Sequence, residues 1–272
     1  MSISRQRLSG HRTDRRVLRA AEADDPQVKI RSYALNVPSG RTVLPHSHAW
    51  HQLIYAIRGV MTVRTAESVW VVPPHRAVWI PANVQYEVEM AGTVAMRTLY
   101  LRNSIRRSWW GASMPGACAV VNVGPLLREL ILRTTKLGAL DERIPEQRRL
   151  LGVILDELKV LMAVPLQLPL PRDPRGACLA ALLGQDDPEP LQTLLRQSGA
   201  SRRTMERIFR AETGMSLGQW QRRHKLLEGL RRLAAGETVK GIAFELHYSS
   251  ASAFVAMFRR ELGRTPGQYF EP

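Results

Sequence analysis

The sequence predicts an α+β protein: an N-terminal antiparallel β-barrel followed by helices, then an all-α C-terminal domain. Three observations carry this expectation. Short β-type runs recur between Val28 and Leu101, each ended by turn residues. After Trp110 the apolar period lengthens from two residues to between three and four. A proline-rich stretch, PLQLPLPRDPRG from Pro165 to Gly176, then sets off a second helical region.

Taken in order, residues 1–32 are Arg-rich and aperiodic and are expected to form a flexible basic arm. Their opening, MSISRQRLSGHRTDRR, lacks the apolar stretch of a secretory signal. Residues 33–110 form the expected barrel. Its strands are KIRSYALNV, which overlaps the end of the arm, RTVLPH, QLIYAI, VMTVRT, SVWVV, AVWI, YEVEM and TVAMRTLYL. Ser39-Gly40, Arg58-Gly59 and Pro73-Pro74 separate runs. Many short strands at this spacing point to a closed or two-layered antiparallel sheet.

Residues 111–164 read as a helical, dimerising segment. Gly124–Lys136 is one helix, and Pro145–Met162 is another with Leu150, Leu151, Ile154, Leu155, Leu158, Leu161 and Met162 along one stripe. Two readings stay open for that stripe, packing against the barrel or a seam between two copies of the chain. Residues 165–175 are the expected linker, stiffened by proline. Residues 176–272 form the last domain.

Composition narrows the function classes. With 44% apolar residues in a chain of 272, a buried core is expected and disorder throughout is not. Cys118 and Cys178 stand far apart outside any CxxC pattern, which argues against a disulfide scaffold or zinc ribbon and suits a reducing compartment. No apolar run approaches the ~20 residues of a membrane span, so a cytoplasmic protein with no membrane partner is expected. The formal charge of +15 points to an anionic partner, but it is spread along the chain, so the motifs must decide.

They do so in the last domain. Leu191–Ser198 is a short helix, Gly199-Ala200 a turn, and Ser201 an N-cap for SRRTMERIFRAETG, which Gly214 ends. The pattern recurs with VKGIAFEL, a turn at His247-Tyr248, and a helix capped by Ser249-Ser250 that carries Phe254, Phe258 and Leu262 on one face. A long helix, Leu217–Ala235, joins the two units. Thr265-Pro266 is a capped start for a last helix, whose free backbone N–H groups suit a phosphate. Each unit is a helix-turn-helix. SRRTMERIFRAETGMSLGQW with VKGIAFELHYSSASAFVAMFRRELGRTPGQY resembles the paired helix-turn-helix domain of AraC/XylS-type transcription regulators over about Leu191–Tyr269.

The resemblance implies a sequence-specific regulator that binds double-stranded DNA as a homodimer, with RNA polymerase as a further partner if it activates. It places base-reading positions at Arg203, Glu206 and Arg207 in the first unit and at Ser252, Ala253 and Ala256 in the second. Arg202, Arg210, Ser250, Arg259 and Thr265 complete the expected DNA contacts. Arginine can grip guanine with two hydrogen bonds and glutamate can accept from cytosine. The short second set suits shape, phosphate and thymine-methyl contacts. His247 stands where the family usually has glycine. Gly229 stands where alanine is common, at a slight expected cost to the linking helix.

The stretch GRTVLPHSHAWHQLIYAIRG, from Gly40 to Gly59, resembles the first signature of cupins, a family of small β-barrels, with Gln52 in place of the acid. The second signature resembles Pro81–Tyr86, with Tyr86 in place of histidine. AraC-type regulators often carry such a barrel as their sensor, so the resemblance implies a small-molecule effector. The expected effector pocket is His46, His48, Trp50, Gln52, Ile54, Trp79 and Tyr86. A divalent metal, if held, would use His46, His48, Gln52 and Tyr86. That set lacks a carboxylate, and a phenol with a pKa near ~10 ionises at a cost. No cofactor is therefore expected and catalysis is not. His51 has the opposite strand parity to Gln52 and is expected to point away. The competing reading is a metal-dependent cupin enzyme, a dioxygenase or isomerase, or a metal sensor, with a helical appendage.

Overall fold

The computed structural model describes residues 25–105, 116–159, 164, 166–185 and 189–270. The expected arm lies outside them up to residue 24, as do Leu161, Met162 and Pro165. Among the described residues nine strands form one antiparallel sheet that curls on itself: β1 (Val28–Val37), β2 (Thr42–His46), β3 (His51–Arg64), β4 (Ser68–Val72), β5 (Arg76–Ile80), β6 (Tyr86–Leu101), β7 (Ala119–Asn122), β8 (Ala139–Asp141) and β9 (Gln167–Pro169). The central pair is β3 with β6, from His51↔Leu101 to Arg64↔Glu87.

Strand β1 starts at Val28, where the β-type runs are expected to begin and where they overlap the stretch assigned to the arm, and Ile30 is wholly buried. The sheet departs from the expected boundaries in two places. Strands β7 and β8 lie within the segment read as helical and pair with β5 and β1. The proline-rich linker contains β9, which pairs with β4 in the register Val69↔Leu168 and buries Leu168. It is a docked edge strand, where proline is tolerated because one side of the strand needs no ladder. Two expected breaks are also absent. Arg58-Gly59 is a bulge within the 14-residue β3, and Gly92 lies within the 16-residue β6. Glycine at positive φ bends a strand without ending it.

Period-two alternation divides the sheet into two faces. On one, Gln52, Ile54 and Ala56 of β3 stand opposite Tyr100, Thr98 and Met96 of β6 and, with Val78 and Ile80 of β5, line the barrel interior. On the other, Leu53, Tyr55, Trp79, Leu99 and Leu101 pack beneath two helices, α1 (Pro125–Leu137) and α2 (Pro145–Lys159). Leu151, Ile154, Leu155 and Leu158 of α2 belong to that layer. Of the two readings of the apolar stripe, packing within the chain accounts for these four side chains.

The remaining helices are α3 (Pro174–Leu183), α4 (Leu191–Gln197), α5 (Arg202–Thr213), α6 (Leu217–Ala234), α7 (Val239–Glu245), α8 (Ala251–Leu262) and α9 (Pro266–Phe270). Helix α3 begins at Pro174, capped by Asp173, so the linker ends slightly earlier than its composition suggests. Met205, Ile208, Phe209, Trp220, Phe254 and Phe258 form the centre of this helical region. Their apolar cluster is continuous with the barrel interior, with Leu166, Leu168 and Leu179 among its members.

Candidate nucleic-acid interface and barrel site

Helices α4 and α5 enclose a turn at Gly199, φ 71°, and α7 and α8 enclose one at His247, φ 56°. A left-handed residue lets the second helix of each unit leave at a steep angle. His247, at the family's glycine position, thus holds a backbone conformation that glycine favours. The second helices are built alike. Ser201 Oγ accepts from the Thr204 N–H at 3.2 Å, and Ser250 Oγ accepts from the Ala253 N–H at 3.1 Å. Gly214 and Gly263, both at positive φ, close the two helices.

This common frame fixes which side chains face solvent. In α5, Arg203, Arg207 and Arg210 follow the i, i+4, i+7 spacing directly opposite buried Met205, Ile208 and Phe209, and all three are exposed, as is Arg202. In α8 the same stripe is Ser252, Ala256 and Arg259, also exposed and opposite Phe254, Met257 and Phe258. The stripes differ in chemistry: three guanidinium groups on α5, against a hydroxyl, a methyl and one guanidinium on α8.

Four expected contact residues are engaged within the chain or partly covered. Glu206 sits at the edge of the stripe and its Oε2 accepts from the Leu217 N–H at 3.1 Å, capping α6. It serves a helix start whose first-turn N–H groups have no partner within their own helix. The Thr265 N–H and hydroxyl both donate to Gln268 Oε1, at 3.3 and 2.9 Å, so that N–H is not free for a phosphate. Ser250 is held as a cap, and Ala253 is half-buried at the other edge of α8.

In the barrel, His46, His48, Gln52 and Tyr86 converge. His48 Nε2 donates to Gln52 Oε1 at 2.9 Å, and the Tyr86 hydroxyl donates to the same oxygen. His46 Nε2 and His48 Nε2 lie 3.0 and 3.2 Å from that hydroxyl, and His46 Nδ1 donates to the Leu44 carbonyl at 2.9 Å. Gln52 Nε2 donates to Thr98 Oγ1 at 2.8 Å. Burial pushes the Tyr86 phenol well above its ordinary value of 10, and the phenolate that a metal needs is correspondingly disfavoured. The donor set therefore does not fit a divalent ion: it brings no carboxylate to offset the charge, and its phenol is held protonated. Among the described residues no group of three or more His, Cys, Asp or Glu side chains is placed to hold a metal.

Asn83, at the glycine position of the second cupin signature, has φ 65°. Ile54 lies inside the barrel as expected. Trp50 lies at its rim with Tyr33 and Tyr100, beneath the Arg102 guanidinium at 4.8 Å. Trp79 is misassigned by the sequence: it points to the opposite face, where it stacks on His51 at 5.2 Å. His51 points away from Gln52 and is buried there, with Nε2 2.9 Å from Asn103 Oδ1. Missing from the expected pocket are Thr98, Tyr100 and Trp70. The alternation in TVAMRTLYL, which sets Met96, Thr98 and Tyr100 on one face, was the available signal for two of them. Two polar atoms of this interior are buried without a hydrogen-bond partner, His48 Nδ1 and Trp70 Nε1.

A sheet that encloses a polar cluster of His46, His48, Gln52 and Tyr86 is thus joined to two exposed, identically framed helices of helix-turn-helix units. Comparison with known proteins agrees. An AraC-like ligand binding domain is matched over residues 38–148 and a helix-turn-helix domain over residues 194–271. The HTH-type transcriptional regulator NimR of Escherichia coli is 33% identical over 82% of this chain and 81% of its own. The regulatory protein SoxS of Salmonella typhimurium is 35% identical over 31% of this chain and 79% of its own. The crystal structure of ToxT from Vibrio cholerae aligns over 90% of this chain and 98% of its own at 11% identity, with a TM-score of 0.36. The chain belongs to the AraC family of helix-turn-helix transcriptional regulators, with a ligand-binding N-terminal domain and a DNA-binding C-terminal domain.

Proposed function

We propose that the chain regulates promoters from the cytoplasm by placing α5 and α8 in successive major grooves, about one turn or ~34 Å apart. The observation that carries this is the stripe of Arg203, Arg207 and Arg210, exposed on a capped helix whose opposite face is core. Arg203 and Arg207 read bases, while Arg202, Arg210 and Arg259 hold phosphates. Helix α6 sets the distance between the units. The chain acts as a homodimer, supported by the apolar side chains left outside on and between α1 and α2: Leu126, Leu137, Ile144 and Val153 are 40–53% exposed. Activation through RNA polymerase is the favoured output.

The effector is a small molecule in the barrel interior, bound without metal and without chemistry. The unpartnered His48 Nδ1 and Trp70 Nε1 support this, because buried polar groups in folded proteins find partners. His48, Gln52, Tyr86, Thr98 and Tyr100 would orient it among the apolar walls of Ile54, Val78 and Ile80.

Selection of duplexes from a random library by the full chain, with sequencing, tests the DNA reading. Two enriched half-sites one turn apart are expected. Arg203→Ala should relax one base position by about 1–3 kcal/mol. No enrichment over input would overturn the proposal.

A further inference from the structure

The two recognition helices share caps, closing glycines and core stripe but differ in what they present, and that difference has a chemical reading. Position for position, Arg203, Arg207 and Arg210 of α5 become Ser252, Ala256 and Arg259 of α8, Arg202 becomes Ala251, and Glu206 becomes Val255. In α5 these side chains are long and charged. In α8 they leave an open surface depression of about 710 Å³, lined by Ala251, Val255 and Ala256 as its apolar floor and by Arg259 and Arg260. Thr265, also on its rim, has its hydroxyl committed to Gln268, and Ser252 is the one small polar group on the helix stripe within it.

Floor residues without donors or acceptors cannot distinguish bases by hydrogen bonds. Their shortness does let a base edge approach closely. The major groove offers such a surface one apolar feature, the C5-methyl group of a pyrimidine. The two arginines, at the end of the helix, are long enough to reach phosphate and hold that edge against the floor.

We infer that the second unit reads 5-methylpyrimidines, with Val255 and Ala256 as the specificity-determining side chains. The inference rests on the DNA-binding reading above and adds the chemical class of its second half-site. Thymine is preferred there for its methyl group, and 5-methylcytosine is read like thymine at that atom. Each methyl buried against the floor contributes about fourfold in affinity. The first unit, whose contacts are guanidinium hydrogen bonds, has no such dependence.

The test uses the full chain and the duplex it selects. The half-site altered by Arg203→Ala is assigned to the first unit and the other to the second. Each thymine is replaced singly by deoxyuridine, which removes the methyl and keeps every hydrogen bond. A loss of about fourfold is expected at one or two positions of the second half-site. Val255→Ala should abolish the dT-over-dU preference at one of them while leaving the first half-site unchanged. If the second half-site tolerates deoxyuridine throughout while sequence-specific binding persists, the inference is wrong and the DNA-binding reading stands. The same holds if the dT-over-dU preference survives in both Val255→Ala and Ala256→Gly. If no duplex is enriched, the DNA-binding reading falls and this inference with it.

Discussion

Gly229 lies midway along α6 where a Cβ would come within 2.9 Å of the Phe254 ring. The sequence shows only the cost of glycine to a helix; the packing gives the reason, since Phe254 of α8 is wholly buried against that gap. Alanine normally favours a helix, but here the ring must move, and overpacking costs about 1–3 kcal/mol. Gly229→Ala is therefore expected to lower Tm, measured by calorimetry, despite its better helix propensity. His224, stacked on Trp220 in the same helix, supplies a pH dependence. Burial lowers its pKa below 6.5, opposed by Glu228 and reinforced by Arg231 and Lys225 of α6 and by Arg64 of β3. The folded state thus binds fewer protons than the unfolded state just below pH 6.5. Stability is full above that pH and falls as pH drops towards the depressed value. His75, lowered mainly by its own burial, adds in the same direction. Denaturant titrations between about pH 7 and pH 5 should show the decline, and His224→Gln should make it shallower.

At the scale of elements, what the sequence could say depended on whether the determinant was local. Caps and closing glycines lie within a few residues of the helices they bound, so α5 and α8 were legible almost to the residue. The same holds for His48, Gln52 and Tyr86, whose motif spacing is local to two strands. Strand β9 was not legible, because Leu168 becomes a strand residue only by pairing with Val69, about a hundred positions earlier. Trp79 was misplaced for a related reason: strand parity becomes informative only once β5 is registered against β3 by Leu53↔Trp79. Glu206 has a partner that lies too far along the chain for the sequence to show. Its place beside Arg207 reads as recognition, whereas its hydrogen bond to the Leu217 N–H makes it a cap. Glu206→Ala should cost about 1 kcal/mol of stability, typical of a lost cap. Its selected duplex should match that of the unaltered chain. A changed base preference without a fall in Tm would return Glu206 to the reading set.

Across the whole molecule, α6 is both the spacer between the two readers and the helix seated on the barrel. Arg231 Nη2 donates to Glu89 Oε1 of β6 at 2.9 Å, and its Nη1 donates to Glu228 Oε2 at 2.6 Å. Arg232 extends the network to Glu228 and Glu245 of α7. Trp220 Nε1 donates to the Pro169 carbonyl of β9 at 2.7 Å. The closest approach is steric: a Cβ on Gly92 of β6 would lie 2.4 Å from the Ala234 carbonyl oxygen at the end of α6. Gly92→Ala should therefore push the barrel off the helix. Gly40→Ala is its control, since Gly40 has nearly the same φ, +76° against +70°, and nothing within 4 Å of the added atom. Both variants carry about 1–2 kcal/mol of left-handed strain, so a difference between them reports the lost contact. Gly92→Ala should raise the radius of gyration in solution scattering and ease cleavage in the segment after Val164, while Gly40→Ala should do neither. If both variants scatter like the unaltered chain, the seating of α6 on β6 tolerates a methyl group and the close approach at Gly92 does not decide how the barrel is held.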